Sequence, residues 1–405
     1  MNIALLGLGT VGSGVVNVLT NNSDKITKLT DEKIIISHIL VSDVDKQRDA
    51  DTGAAVITDD VNDIIEDDTI DIVIEVMGGI EKTKDLLQSF LKRGVHVVSA
   101  NKDMLAEHID VLTETANENN ATLAYEASVA GGLPIVRSIE NSLNSNRITK
   151  VLGILNGTTN YILSKMAIDG WEYNKALADA KEKGYAETDP TNDVEGIDAK
   201  RKIVLLSRLA YDRKINMSEV QVRGISDVSI VDIDNAAREN LTLKLLGKST
   251  YDAGGLCVSV EPVLLPSTHQ LASVNYEMNA VYVNGNAVGE TMFYGPGAGS
   301  LQTASAVVSD LINVIRYKDA GVKNFAPDET VEVNPDSGAG RHYIRFANEQ
   351  NEAEAALNGM SVEFKIVDSD EFVIITEAIT NKQLDDLKAD RLLDIKASYQ
   401  IDGVE

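Results

Sequence analysis

Between Ala186 and Lys202 the chain reads Ala-Glu-Thr-Asp-Pro-Thr-Asn-Asp-Val-Glu-Gly-Ile-Asp-Ala-Lys-Arg-Lys. The carboxylates Glu187, Asp189, Asp193, Glu195 and Asp198 stand beside Lys200, Arg201 and Lys202, and the cations open an apolar helix. Carboxylates and amines are the groups of acid-base chemistry. A run of charges is ordinarily a solvated face, because buried charges need partners. Two features point to a site instead. Pro190 and Gly196 fix the loop backbone, and Asp198 and Lys202 stand at i and i+4, on one helix face.

Composition bounds what such a site serves. With 405 residues, 43% hydrophobic and 25% charged, the chain has room for two or three domains with full cores. A formal charge of -26 argues against nucleic acid or an anionic membrane as partner, since both need a basic surface. The single cysteine, Cys257, excludes a disulfide framework and fits a reducing compartment. It lies in an apolar segment and reads as core. No apolar run reaches the roughly 20 residues that span a membrane. The N-terminus lacks the basic start of a signal peptide. A cytoplasmic protein is the expectation.

The elements that must position chemistry begin with a strand at Asn2–Leu6. Gly7-Leu8-Gly9-Thr10-Val11-Gly12 leads from it into a helix over 13–19. Strand, glycine turn and helix make a dinucleotide-binding loop. Gly7 permits the turn, Gly9 admits a pyrophosphate, Gly12 lets helix pack on strand, and the helix N-terminus offers N–H groups to phosphates. A long connection, 21–33, precedes a strand at 34–41 ending in Ser42-Asp43. An acid there takes the ribose 2'-hydroxyl of NAD, and Lys46 and Arg48 would meet the 2'-phosphate of NADP; Asp43 tilts the reading to NAD. A strand at 70–76 ends in Met77-Gly78-Gly79. A helix over 81–92, a strand at 94–99, a helix over 109–119 and a strand at 122–126 continue the alternation, which predicts a doubly wound parallel sheet. Ser99-Ala100-Asn101-Lys102 falls at a strand C-terminus, where such sheets place ligands, so Lys102 is a functional candidate.

Farther along, a helix over 136–143 precedes a strand at 150–155, which stops at Asn156-Gly157-Thr158-Thr159-Asn160 and starts a helix. These residues present N–H and hydroxyl groups to a small polar ligand, or form an ordinary N-cap. Strand signals at 220–225, 255–265 and 279–283, with an Asn284-Gly285-Asn286 turn leading into 287–289, predict a packed sheet. His269 reads as a loop residue, and no histidine has metal-ligand spacing. Pro327 and Pro335-Asp336-Ser337-Gly338 mark a linker. Beyond it come a strand at 341–347, a helix over 351–357, strands at 361–367 and 371–378, a helix over 381–387 and a strand at 393–399. That order, βαββαβ, is the ferredoxin-like plan.

Taken in order and spacing, Gly7–Gly12, Ser99–Lys102, Tyr125–Ile135, Gly153–Leu163, Gly184–Lys202 and Tyr294–Gly299 resemble the motifs of homoserine dehydrogenases, from residue 1 to about residue 320. The resemblance implies an α/β chain with a Rossmann-type nucleotide-binding domain over 1–130 and about 295–320. It implies a mixed α+β catalytic and dimerisation domain over 131–294 and, at 338–405, a tail like a small regulatory ACT domain. The implied activity is reversible reduction of L-aspartate 4-semialdehyde to L-homoserine with NAD or NADP, by a homodimer or homotetramer, in threonine and methionine biosynthesis.

Residue by residue, the resemblance makes Lys202 the catalytic acid/base and Lys102 a second candidate, with Asp198 orienting Lys202. As hydride reaches the aldehyde carbon, an ammonium stabilises or protonates the oxygen. Glu187, Asp193 and Asp198 would surround the substrate ammonium, with Thr158 and Tyr185 nearby. Gly7, Gly9, Thr10, Val11, Gly12, Asp43, Gly78, Ser99, Lys102 and Gly297 would hold the dinucleotide. A monovalent cation, usually sodium, would sit at Glu126, Val129, Gly131 and Leu133, a carboxylate with main-chain carbonyls. Lys200, Arg201 and Glu195 gain no role and are expected at the surface.

Two departures stand out. Gln302 replaces a common proline, and Asn348-Glu349-Gln350-Asn351 stands where ACT domains commonly place an Asp-x-Pro-Gly turn. An L-threonine effector site and a purely structural tail are both open. The rivals are a dehydrogenase of a related amino-acid semialdehyde and a non-catalytic dinucleotide sensor, for which Lys102, Asp198 and Lys202 would be superfluous.

Overall fold

Strand β1 (Asn2–Leu6) is buried at every position after its first, so it belongs inside a sheet covered on both faces. The computed structural model describes residues 1–320, 324–334, 338–360 and 362–403. In it β1 joins β2 (Ile35–Leu40), β3 (Val56–Thr58), β4 (Ile72–Glu75), β5 (His96–Ser99) and β6 (Leu123–Ala124) in a six-stranded sheet of order β3-β2-β1-β4-β5-β6. All its pairings are parallel. This is the expected doubly wound sheet, and its order reverses beside β1, where the Gly7–Gly12 turn lies.

The connecting helices are α1 (Thr10–Asn21), α2 (Ser23–Thr30), α3 (Asn62–Ile65), α4 (Glu81–Lys92) and α5 (Lys102–Glu118). Three expectations change here. The connection 21–33 contains α2, anchored by buried Ile26 and Thr30, and the helix expected from 109 begins at Lys102 because Asn101 caps it. The helix expected over 136–143 is mostly a π-helix, Ser138–Ser142.

The first of two compact units comprises Met1–Arg147, Val204–Met217 and Phe293–Val331. Its later segments add α11 (Ser300–Tyr317), whose Val307, Val308 and Leu311 share a core with Val15, Val16 and Leu19 of α1.

The second unit comprises Ile148–Ile203, Ser218–Met292 and Glu332–Glu405. Its boundary with the first differs from the expected division at 130/131, and the tail does not separate from it. The helices α6 (Gly157–Asp169), α7 (Tyr173–Glu182), α8 (Thr191–Val194), α9 (Ile197–Tyr211, which runs past the unit boundary) and α10 (Ile230–Arg238) accompany a mixed sheet. That sheet contains β7 (Ile148–Ile154), β9 (Gln221–Val222), β10 (Leu241–Asp252), β11 (Gly255–Pro266), β12 (Met278–Gly285) and β13 (Gly289–Pro296); the short β8 (Lys214–Ile215) pairs instead with β14 (Thr330–Val331). The strand expected at 220–225 shrinks to β9, and the one expected at 287–289 extends to Pro296. Cys257 is half-buried on β11 rather than core.

The long strand β10 has no counterpart among the sequence expectations. Lys244, Gly247 and Lys248 interrupt its apolar pattern, yet both lysines are buried. The fold supplies oxygens for them: Lys244 Nζ donates to Val274 O at 2.5 Å, and Lys248 Nζ to Gln400. Burial lowers the Lys244 pKa to about 8.

The tail forms β15 (Arg341–Phe346), α12 (Gln350–Gly359), β16 (Phe364–Ile366), β17 (Phe372–Thr376), α13 (Asn381–Ala389) and β18 (Ile395–Ile401), the βαββαβ order expected. Its strands run β18-β15-β17-β16, and β18 pairs in parallel with β11, so the tail extends the same sheet. Within this unit, buried Asp232 of α10 accepts hydrogen bonds from Tyr343 Oη at 3.0 Å and Arg345 Nε at 2.7 Å, tying α10 to β15. Pro335–Ser337 of the expected linker and Ser361, the start of an expected strand, lie outside the described residues.

Candidate active site

In the first unit the glycine turn is built by close approach. Gly7 has φ +105°, and a β-carbon there would lie 2.9 Å from Val76 O; a β-carbon on Gly12 would collide with Gly7 O. Around Gly9 there is open space, and Gly9 is the N-cap of α1 with no side-chain cap. The first N–H groups of α1, at Thr10 and Val11, are thus left for an anion.

A carboxylate that the sequence reading passed over organises the neighbouring loop. Glu75, fully buried at the end of β4, accepts from Met77 N at 2.9 Å and Gly78 N at 3.1 Å through Oε1, and from Ser99 Oγ at 2.7 Å through Oε2. Burial raises its pKa, and these donors oppose the rise. Ser99 Oγ in turn accepts from Asn101 N at 3.1 Å, and Asn101 Oδ1 accepts from Met104 N at 3.1 Å. Gly78, Ser99 and Lys102 are therefore brought together, with Ser99's hydroxyl committed to Glu75 and Lys102 set in the first turn of α5.

On the loop after β2, Asp43 is exposed and its Oδ1 accepts from Asp45 N at 2.9 Å, while Arg48 Nη2 donates to Asp43 O at 2.7 Å. Gly297 lies against Gly131, where a β-carbon would collide with its carbonyl.

The expected cation loop has a different internal logic. Glu126 is buried, and its carboxylate accepts from Val136 N at 2.8 Å, Arg137 N at 3.0 Å and Arg137 Nε at 3.1 Å. Its own N–H donates to Asp310 Oδ2 at 2.7 Å. Burial first, and then Glu126, push the Asp310 pKa up to about 8. A carboxylate so engaged by donors does not fit a metal ion as ligand; Val129, Gly131 and Leu133 offer main-chain carbonyls only. In the same unit His108 Nε2 lies 2.8 Å from Glu81, beside Glu107. This grouping has no local sequence signal, and Glu81 and Glu107 are solvent-exposed.

The second unit gathers most of the charged stretch. Asp198 and Lys202 lie on α9, with Lys202 Nζ 2.7 Å from Asp198 Oδ2 and 2.7 Å from Leu155 O. The third ammonium hydrogen has no partner among the described residues. Asn156, the N-cap of α6, accepts from Thr159 N at 2.9 Å through Oδ1. Its Nδ2 donates to Asp193 Oδ1 at 2.7 Å and Asp198 Oδ2 at 2.9 Å. The turn read as ligand site or N-cap is thus a cap that also holds two carboxylates.

Thr158 Oγ1 donates to Tyr185 O at 2.5 Å, and the Tyr185 ring lies 4.8 Å from that of Tyr161. Glu187 is exposed on the same loop. Asp189, by contrast, closes the turn before α8, its Oδ1 accepting from Thr191 N at 3.1 Å and Thr191 Oγ1 at 2.6 Å, and the hydroxyl bond lowers its pKa. Lys200 and Arg201, expected at the surface, are half-buried, whereas Glu195 is exposed. His269 is a loop residue as expected, its Nδ1 accepting from Leu271 N at 3.1 Å.

A family model described as homoserine dehydrogenase matches residues 134–312, and one described as homoserine dehydrogenase, NAD binding domain, matches residues 7–126. The homoserine dehydrogenase of Bacillus subtilis (strain 168) is 48% identical over 322 residues, 80% of this chain and 74% of the relative. The chain belongs to the homoserine dehydrogenase family.

Solved homoserine dehydrogenases agree. One from Thiobacillus denitrificans superimposes with a TM-score of 0.93 at 33% identity, covering 99% of this chain and 98% of that one. One from S. aureus gives 0.83 at 41%, covering 100% and 99%. A hyperthermophilic archaeal homoserine dehydrogenase in complex with NADPH gives 0.66 at 26%, covering 80% and 99%. Within this family frame the chain is an NAD(P)-dependent oxidoreductase; Glu75 is the organising residue that the sequence reading missed, and for Asn156, read there as a ligand turn or a cap, it missed the hold on Asp193 and Asp198. A polar residue ending a buried strand, and one starting a helix, were the available signals.

Proposed function

We propose that the protein interconverts L-homoserine and L-aspartate 4-semialdehyde, with Lys202 moving the proton at the C4 oxygen. The observation that supports this most is the ammonium of Lys202, held by Asp198 and by Leu155 O with one hydrogen unspent. In reduction, that hydrogen stabilises the oxygen as charge develops and then passes to it. Asp198 keeps the amine oriented, and Asn156 keeps Asp198 in place. Glu187 and Asp193 serve the substrate ammonium, with Thr158 and Tyr185 shaping the loop around it. Lys102 is the second candidate for the proton.

The dinucleotide supplies or accepts the hydride. Gly7, Gly9, Thr10, Val11 and Gly12 would take its pyrophosphate, Gly78, Ser99, Lys102 and Gly297 would border it, and Asp43 would take the ribose of NAD. A monovalent cation would be held by the carbonyls of the loop 126–133 and not by the Glu126 carboxylate. A cytoplasmic homodimer or homotetramer and an L-threonine response of the ACT-like tail complete the reading. Sedimentation tests the assembly, and melting with added L-threonine tests the tail.

A steady-state assay with L-homoserine and each of NAD and NADP tests the function. The reading expects homoserine-dependent reduction of at least one. Dinucleotide binding without turnover would favour a sensor, and preference for a longer or shorter amino alcohol would favour a related semialdehyde dehydrogenase.

A further inference from the structure

Asn279, on β12, carries a buried amide that the protein leaves unserved. The residue is 1% exposed, and neither Nδ2 nor Oδ1 has a hydrogen-bond partner among the described residues. Leaving a buried polar group unmade costs about 1–3 kcal/mol, so an amide with both ends open calls for a polar occupant.

Register and parity place it. β12 opposes β7 at Ala280↔Ile154 and Val281↔Gly153, so the next position sets Asn279 across from Leu155. Alternate residues of a strand share a face. Ala280 and Tyr282 pack with Leu152 and Ile154 in an apolar cluster, and Asn279 therefore belongs to the opposite face, with Val281 and Gly153.

That opposite face is the one α9 covers. Gly247 pairs with Gly153, and a β-carbon on Gly247 would lie 3.0 Å from Ile203 Cβ and 2.9 Å from Leu155 Cδ1. Ile203 follows Lys202, whose Nζ is 2.7 Å from Leu155 O. Register and packing thus set the unserved amide across from Leu155, on the sheet face covered by the helix that carries Lys202.

We propose that Asn279 is a further substrate-contacting residue, its Nδ2 donating to the same C4 oxygen as Lys202 and its Oδ1 accepting from one of the substrate's N–H donors. This assignment rests on the homoserine reading above. Two donors on one oxygen, one neutral and one charged, would share the charge that develops there.

The test compares wild type with Asn279→Leu, which keeps the branched heavy-atom skeleton and removes both polar atoms, and Asn279→Ser, which keeps a short donor. Each is measured for kcat and KM with L-homoserine at saturating dinucleotide, for dinucleotide Kd and for Tm. The expected result for Asn279→Leu is a fall in kcat of about 10²-fold, the usual effect of removing one such donor, with dinucleotide Kd unchanged and Tm equal or higher. The Ser variant, a smaller disturbance to the fold, should lose about tenfold, and it decides the matter if the Leu variant fails to fold. A residue that serves only the fold would lower Tm and leave kcat unchanged, which would overturn the assignment. An active wild type with fully active variants removes Asn279 alone, whereas a wild type that does not turn over homoserine removes the functional reading and this assignment together.

Discussion

Glu126 and Asp198 are both buried carboxylates within reach of a cationic side chain, each in its own unit, and they spend their neighbours differently. Glu126 is met by two main-chain N–H groups and by Arg137 Nε, while Arg137 Nη2 is itself taken by Ser309 Oγ at 2.6 Å. Asp198 is met by Asn156 and Lys202, and Lys202 keeps a hydrogen in hand. The first arrangement closes a turn; the second holds a charge with capacity left over. A buried ion pair says little about chemistry until its remaining donors are counted.

Asp198→Asn should lower kcat for homoserine about 10³-fold through loss of the group that orients the lysine, with Tm within a few degrees of wild type; an unchanged kcat would make the pair structural. Arg137→Ala should act the other way, leaving Glu126 and Asp310 without their cation and costing about 3 kcal/mol of unfolding free energy in a denaturant titration. If that variant unfolds like wild type, the 126–137 turn is not held as described.

Asp310 gives a pH signature. Its native pKa, raised to about 8, exceeds the unfolded value near 4, so between these values the native state binds the extra proton and stability falls as pH rises. Asp310→Asn should remove that slope and raise Tm at pH 8 relative to wild type by about 2–4 °C, a gain absent at pH 4. Equal pH profiles would contradict it. Smallest, Arg48→Ala should lower NADP-linked kcat/KM relative to the NAD-linked value by about tenfold, the loss of one guanidinium-phosphate contact. An unchanged ratio would exclude Arg48 as a phosphate contact.

Local pattern announced much of this molecule. The β1–glycine–α1 unit, the tail's βαββαβ order and the Asp198–Lys202 pair all follow from spacing within a few residues. What escaped depends on partners distant in sequence. Strand β10 hides because Lys244 and Lys248 look like solvent-facing residues, and only the oxygens of Val274 and Gln400 make their burial tolerable. Helix α2 hides because its short polar sequence is held by Ile26 and Thr30 against the sheet layer. Glu126 read as a cation ligand because a sequence cannot show that Val136, Arg137 and Asp310 converge on it. The bond from Asn156 to Asp193 spans 37 residues, and no local rule reaches that far.

If the unspent hydrogen of Lys202 serves the C4 oxygen, Lys202→Met exposes it in a single-turnover reaction with L-homoserine and excess enzyme-bound dinucleotide. The variant should bind dinucleotide as wild type does but reduce it at least about 10³-fold more slowly. Reduction at the wild-type rate would contradict it.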